Sequence, residues 1–159
     1  MEFGFSYVGL VYLIMLFVPN ILWGRAKPEG YDAFAANENR YLLAMERIGE
    51  VAVTCIVLIF SDFNLRPWSW WSLWLVVSFS AMVLYEIYWI GYFRSPRTMK
   101  DQYGSMLGIP VPGASLPIVA FLLLAVYGCN PILGIAAMIL GIGHIGIHLA
   151  HARECRQDR

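Results

Sequence analysis

Apolar residues occur along the chain in five long runs, separated by short polar or proline-rich segments. One helical crossing of a bilayer needs roughly 20 apolar residues, and most of the runs approach that length. The fourth run is shorter and contains prolines. The pattern predicts an all-α, polytopic membrane protein, a single domain over residues 1–159 with five transmembrane helices. The predicted helices cover residues 3–23, 41–60, 68–93, 112–127 and 131–151.

Composition agrees with this interpretation. Hydrophobic residues make up 59% of the chain and charged residues 14%, whereas soluble domains carry about 25% charged residues. The 11 basic and 11 acidic residues cancel, so the chain lacks the basic field that nucleic acid requires. The three cysteines form no CxxC pair and predict no disulfide framework. The first expected partner is therefore the lipid bilayer, and nucleic acid is excluded.

Cationic residues lie mainly on one side of the predicted bundle. The loops 24–40 and 94–111 and the C-terminal tail carry nine of them, and only Arg66 lies on the opposite side. Cytoplasmic loops are rich in Lys and Arg, so the pattern places the N-terminus outside and these two loops and the tail in the cytoplasm of a cell membrane. The nine residues are Arg25, Lys27, Arg40, Arg94, Arg97, Lys100, Arg153, Arg156 and Arg159.

Ionisable residues within the predicted helices are candidates for function, because charge inside a bilayer is costly. At a rise of about 1.5 Å per residue, Glu50, Glu86 and His144 lie about 12–13 Å from the cytoplasmic ends of three different helices. Glu46 and His148 form a shallower layer. We interpret Glu50, Glu86 and His144 as candidate catalytic groups because they share one depth.

Helical spacing adds further candidates for ligand binding. Glu46 and Glu50 are four residues apart and lie on one face of the second helix, with Arg47 between them. His144 and His148 share a face of the fifth helix, and Arg94 lies two turns from Glu86, where it would neutralise that carboxylate. The candidate ligand-binding residues are Glu46, Arg47, His148 and Arg94.

The fifth helix carries a stripe that we expect to face the bundle. Gly134, Ala137 and Gly141 continue the histidine face, and small residues mark close helix packing in membranes. His151 extends the stripe and is predicted to lie at the interface. A stretch rich in glycine and proline, residues 104–117, either edges a pocket open to the cytoplasm or is simply a loop ending in a helix.

Two kinds of chemistry fit these residues. His144 and His148 with Glu50 and Glu86 could hold a divalent metal such as Zn, although HxxxH alone is a weak signal. Alternatively, a carboxyl group in low dielectric and a histidine could exchange a proton with a substrate. No cofactor is identified by a motif.

No family motif spans the chain. In length, tryptophan content and five-helix outline it resembles the translocator-protein scaffold, and Arg66-Pro67-Trp68 resembles part of that family's Trp-Pro-rich signature. The resemblance assigns no role to any residue here.

Three functions remain open at this point. The first is a membrane enzyme or binding protein for a lipid-like or amphipathic small molecule. The second is a proton-coupled transporter or channel acting as a homo-oligomer, with Gly143 and Gly146 supplying a contact face. The third is a non-catalytic accessory subunit, which predicts that the glutamates pair only with arginines and that no cavity exists.

Overall fold

A computed structural model describes residues 1–157, and the side chains of residues 1–155. The described chain is 75% helical and contains no strand. Arg159 lies outside the described residues, as does the side chain of Arg156, so two of the predicted tail cations are not placed. The helices are α1 Tyr7–Gly24, α2 Tyr31–Ala35, α3 Arg40–Ile59, α4 Ser72–Arg94, α5 Met99–Tyr103, α6 Pro112–Gly128 and α7 Pro131–Gln157.

The five long helices correspond to the five apolar runs, with shifted ends. α1 begins at Tyr7 rather than at residue 3, because the Ser6 side chain accepts a hydrogen bond from Gly9 N and caps the helix. α4 begins at Ser72 rather than at residue 68. The short helices α2 and α5 lie in the two long loops and were not predicted.

Three of the helices, α1, α4 and α7, are long and apolar enough to cross a membrane. α6 is apolar but has 17 residues, and α3 has 20 residues but carries charges in its first half. The described chain is therefore a helical protein of membrane type, with three clear candidate spans.

α3 packs against α7 more extensively than any other pair of helices does. A Cβ atom at Gly49 would lie 2.5 Å from Leu140 Cα, and one at Gly143 would lie 2.4 Å from Glu46 N. Glycine is therefore required where the two backbones touch. The predicted oligomer face of Gly143 and Gly146 was wrong, because α3 covers both residues within the monomer.

α6 lies beside both α4 and α7 and is the most buried of the long helices. Phe121 and Leu124 are fully buried, and Ser78 of α4 donates a hydrogen bond to Ala120 O. The small-residue stripe of α7 faces this helix, since a Cβ atom at Gly141 would lie 2.9 Å from the Ile118 side chain. α4, α6 and α7 thus form the core against which α1 and α3 are placed.

The two ends of the bundle differ in construction. The N-terminal end contains residues 1–6, 60–71 and 129–130, and residues 2–6 pair with residues 58–61 through backbone hydrogen bonds. The C-terminal end contains the loops 25–39 and 95–111 and the last turns of α7. There Trp23 Nε1 donates to Gln102 Oε1, and Tyr92 donates from its hydroxyl to Ala26 O.

Candidate functional site

A cavity of about 280 Å³ lies between α1, α3, α6 and α7, toward the C-terminal end of the bundle. Its lining combines polar and apolar side chains. The polar ones include Asn20, Glu38, Glu46, Arg47, Glu50, Gln102, His144 and His148, and the apolar ones include Leu16, Phe17, Trp89, Pro117, Ile118, Phe121, Leu140 and Ile147.

Glu46 and His144 form the central polar contact of the cavity lining. Glu46 Oε1 lies 2.5 Å from His144 Nδ1, and the two side chains are 16% and 26% exposed. The close approach of α3 to Gly143 sets this geometry, because it brings the turn of Glu46 against the neighbouring turn of α7. A carboxyl group and an imidazole at this distance are hydrogen-bonded, and such a pair can donate or accept a proton at the cavity wall.

Glu50 is the more exposed of the two glutamates of α3 that line the cavity. Its Oε2 accepts a hydrogen bond from Arg47 Nη1 at 3.0 Å, and the side chains of Arg47 and Glu50 are 68% and 40% exposed. Glu46 therefore has the more buried side chain, and Glu50 lies at the rim. The depths of the two residues in a membrane stay predictions.

α1 and α3 both contribute to the cavity wall. These helices approach closely at the start of α1, where a Cβ atom at Gly9 would lie 2.0 Å from Val57 O. Further along, Phe17 and Asn20 of α1 and Arg47 and Glu50 of α3 all line the cavity. Because Arg47 and Glu50 are exposed, the cavity lining reaches the surface at α3, and these two residues form its rim.

His148 lies on the cavity wall one turn beyond His144. Its ring centroid lies 4.4 Å from that of His144 and 5.4 Å from that of Tyr103. The predicted histidine face of α7 therefore borders the cavity, as do Gly113 and Pro117 from the glycine- and proline-rich stretch.

Glu86 and Arg94 are not among the residues that line the cavity. Glu86 is partly buried on α4, and its Oε1 atom has no hydrogen-bond partner among the described residues. Arg94 is exposed at the end of the same helix and forms no ion pair with Glu86. Equal depth along the helices thus did not bring Glu86 to Glu46 and His144.

The residues predicted as metal ligands do not assemble into a site. Within the described part of the chain, no group of three or more His, Cys, Asp or Glu side chains has the geometry to hold a metal ion. His144, His148 and Glu50 line the cavity, but Glu50 is paired with Arg47 and Glu86 lies elsewhere. The geometry gives the predicted zinc site no support.

A second polar cluster borders the cavity and involves loop residues that periodicity could not reveal. His151 is 2% exposed rather than interfacial, and its Nδ1 lies 2.9 Å from the Tyr103 hydroxyl. Its Nε2 lies 3.5 Å from Glu38 Oε1. The rings of Tyr31, Phe34 and Tyr103 each meet His151 edge to face.

Glu38 is the unusual member of this cluster. It lies in the loop before α3, lines the cavity, and has a side chain that is 13% exposed. Burial and the nearby charge of Glu46 raise the pKa of its carboxyl group. Burial and the negative charge of Glu38 raise the pKa of Tyr31 to about 12, so Tyr31 stays protonated at neutral pH.

Comparison with known proteins gives no assignment. No protein-family model matches the chain, and no curated protein and no solved structure matches it. The outline resemblance to the translocator-protein scaffold is therefore unsupported, and the argument for function depends on the cavity itself.

Proposed function

We propose that the chain is a small membrane protein that binds an amphipathic or lipid-like molecule in the cavity between α1, α3, α6 and α7. The observation that carries the proposal is a cavity lined by both polar and apolar side chains. Ligand sites are mostly apolar with a few placed polar groups. A molecule with an apolar body and one polar group matches this lining.

We further propose that the cavity opens between α1 and α3, because the exposed Arg47 and Glu50 of α3 line it together with residues of α1. α1, α4 and α7 have apolar, exposed outer faces that suit contact with lipid, so such an opening would face the acyl chains and allow entry from the side. Under the proposed orientation it lies in the cytoplasmic leaflet, since both long loops and the end of α7 are at that end of the bundle. α3 and α6 complete a five-crossing bundle in this proposal, with the charges of α3 turned toward the cavity or its rim.

The Glu46–His144 pair supports a role in binding or proton transfer. Both groups face the cavity within 2.5 Å of each other, and a pair holding one proton can accept a hydrogen bond from a ligand or pass a proton to it. The accessory-subunit hypothesis fits less well, because Glu46 pairs with a histidine and a cavity is present.

Filling the cavity tests the proposal. Leu16→Trp places an indole on the cavity wall, and Leu22→Trp adds the same group to an exposed position of α1. Equilibrium dialysis of octanol with the protein in phosphatidylcholine nanodiscs should show saturable binding that Leu16→Trp lowers by about tenfold. Leu22→Trp should bind as the unchanged chain does. Equal binding by both variants, each folded by circular dichroism, would overturn the proposal.

Two cysteines at opposite ends test the orientation. Cys129 is exposed in the turn between α6 and α7, and Cys155 lies near the end of α7. With Cys55 and Cys155 changed to Ser, a membrane-impermeant maleimide should label Cys129 in intact cells. With Cys55 and Cys129 changed to Ser, label should reach Cys155 only after permeabilisation. The reverse pattern would overturn the proposed orientation.

A further inference from the structure

The charges in the cavity wall do not cancel, and we infer from them that the ligand is a small cationic amphiphile, an ammonium group joined to an apolar body. This inference rests on the proposed function and adds the sign of the ligand's charge. It depends on three observations, namely the ion pairs in the wall, the environment of Glu38 and the aromatic rings beside it.

Pairing accounts for four of the charged or titratable groups. Arg47 and Glu50 form an ion pair at 3.0 Å and are neutral together. Glu46 and His144 lie 2.5 Å apart. A carboxylate with an imidazolium has no net charge and a carboxylate with a neutral imidazole has one negative charge, so this pair supplies no excess positive charge. Among the lining residues this leaves the Glu38 carboxylate without a cationic partner.

His151 does not supply that partner. It is 2% exposed and enclosed by the rings of Tyr31, Phe34 and Tyr103, and an imidazolium in such surroundings would lose its hydration. The neutral form accounts for both contacts. Its ring forms a hydrogen bond with the Tyr103 hydroxyl through Nδ1 at 2.9 Å, and its Nε2 lies 3.5 Å from Glu38 Oε1. A neutral donor leaves the negative charge on Glu38.

The nearby cation outside the cavity wall is already engaged. Lys27 Nζ lies 3.7 Å from Asp32 Oδ1, and Lys27 does not line the cavity. The cavity wall thus carries at least one net negative charge at neutral pH. A monocation would balance this charge, and an anion would add a second negative charge to a partly buried site.

The aromatic rings near Glu38 suit an ammonium group. Trp23 and Tyr31 line the cavity and meet edge to face at 4.8 Å. Lys27 Nζ lies 5.5 Å and 5.3 Å from the centroids of these rings, so this aromatic pair already attracts one cation from outside the cavity wall. The cavity lining also includes the apolar residues Phe121, Ile118 and Leu140.

The volume limits the size of the ligand. A cavity of about 280 Å³ is near the lower end of the range of roughly 300–1,000 Å³ for small-molecule sites. An alkyl chain of moderate length with one ammonium group is compatible with this volume. The proposed opening between α1 and α3 would leave part of a longer chain among the lipids.

A matched set of probes tests the sign of the charge. Octylammonium, octanol and octanoate share one chain and differ in charge, and phosphatidylcholine nanodiscs carry no net surface charge that would favour any of them. Equilibrium dialysis, corrected with empty nanodiscs, should show octylammonium bound at least about tenfold more tightly than octanol, and octanoate more weakly than octanol. Glu38→Gln should remove most of the preference for octylammonium and leave octanol within about twofold. Glu29→Gln, at an exposed position outside the cavity wall, should change neither.

The outcomes separate this inference from the proposed function. Equal affinity for all three probes, or tighter binding of octanoate, would overturn the cationic ligand while the proposed cavity stands, provided that Leu16→Trp lowers binding. Retention of the full octylammonium preference in Glu38→Gln would also overturn the inference. If no probe responds to Leu16→Trp, the cavity does not bind amphiphiles and both proposals fail.

Discussion

The two ends of the bundle are closed by different means. At the N-terminal end, residues 2–6 pair with residues 58–61 through backbone hydrogen bonds, and Asn64 Oδ1 accepts from Tyr7 N and Val8 N. At the C-terminal end, two long loops are attached mainly by side chains, such as Trp23 to Gln102 and Tyr92 to Ala26. The cavity lies at this second end.

This difference distinguishes the end of the bundle that holds the helices together from the end that contains the cavity. Short turns and backbone pairing fix the helix ends at the N-terminal end. At the C-terminal end, the longer loops supply Glu38, Gln102 and Tyr31 to the cavity wall. The first end therefore sets stability, and the second end provides the polar groups.

The largest expected effect is at Gly9, at the N-terminal end. In Gly9→Ala the new Cβ atom would meet Val57 O at 2.0 Å, so α1 must shift away from α3. We expect a loss of about 3 kcal/mol in the free energy of unfolding, measured by denaturant unfolding in detergent micelles. Gly24→Ala, at the other end of α1, meets nothing within 4 Å and should be near neutral. Equal losses would remove the distinction between the two ends.

Asn64→Ala should have the next largest effect. The change removes the acceptor for Tyr7 N and Val8 N and the donor to Phe5 O. The expected loss is about 2 kcal/mol in unfolding free energy, as for a helix cap. Tyr92→Phe removes one bond to Ala26 O at the opposite end and should cost about 1 kcal/mol. A larger loss in Tyr92→Phe would contradict the comparison.

At the C-terminal end, the buried Glu46–His144 pair should contribute more to the free energy of unfolding than the exposed Arg47–Glu50 pair does. His144→Ala leaves the Glu46 carboxyl group largely buried without its partner and should lower the unfolding free energy by about 1.5 kcal/mol. Glu50→Gln breaks an exposed ion pair and should change it by less than about 0.5 kcal/mol. Thermal and denaturant unfolding of both variants in the same micelles would check the order, which the reverse ranking would disprove.

Glu38→Gln should have the smallest effect on the free energy of unfolding, and the size of this effect should depend on pH. The raised pKa of Glu38 means that the folded protein holds this proton more tightly than the unfolded chain does. Glu38 therefore costs no stability below the unfolded pKa of about 4.3, and its cost develops as pH rises through the folded pKa. Glu38→Gln should be more stable than the unchanged chain at neutral pH and equal to it at low pH. A constant difference across pH would show that titration of Glu38 is not the cause.

The helices and half of the site could be predicted from the sequence. Apolar run length located the five long helices, and spacing by three or four placed Glu46, Glu50, His144 and His148 on faces that line the cavity. These features depend on local periodicity, which a single sequence displays.

Neighbour relations could not be predicted in the same way. Depth along a helix axis gives only one coordinate of a side chain. The direction in which a side chain leaves the axis is a second coordinate, and for Glu86 of α4 this direction is away from the cavity. Glu46 is more buried than Glu50 because of the contact between Gly143 and the backbone of Glu46. This contact joins residues nearly 100 positions apart. Glu38 and Gln102 lie in loops, where no periodic pattern marks a face.

The close contact between α3 and α7 has a consequence for biosynthesis. α3 carries Arg40, Glu46, Arg47 and Glu50 within its first three turns, and charged residues disfavour release of a lone helix into lipid. The Gly143 contact and His144, which shelter this part of α3, belong to α7, which follows α4 and α6 along the chain. If α3 crosses the membrane as proposed, its stable integration is completed only after α7 has been synthesised, and a nascent chain stopped before α7 is a natural target for membrane quality control.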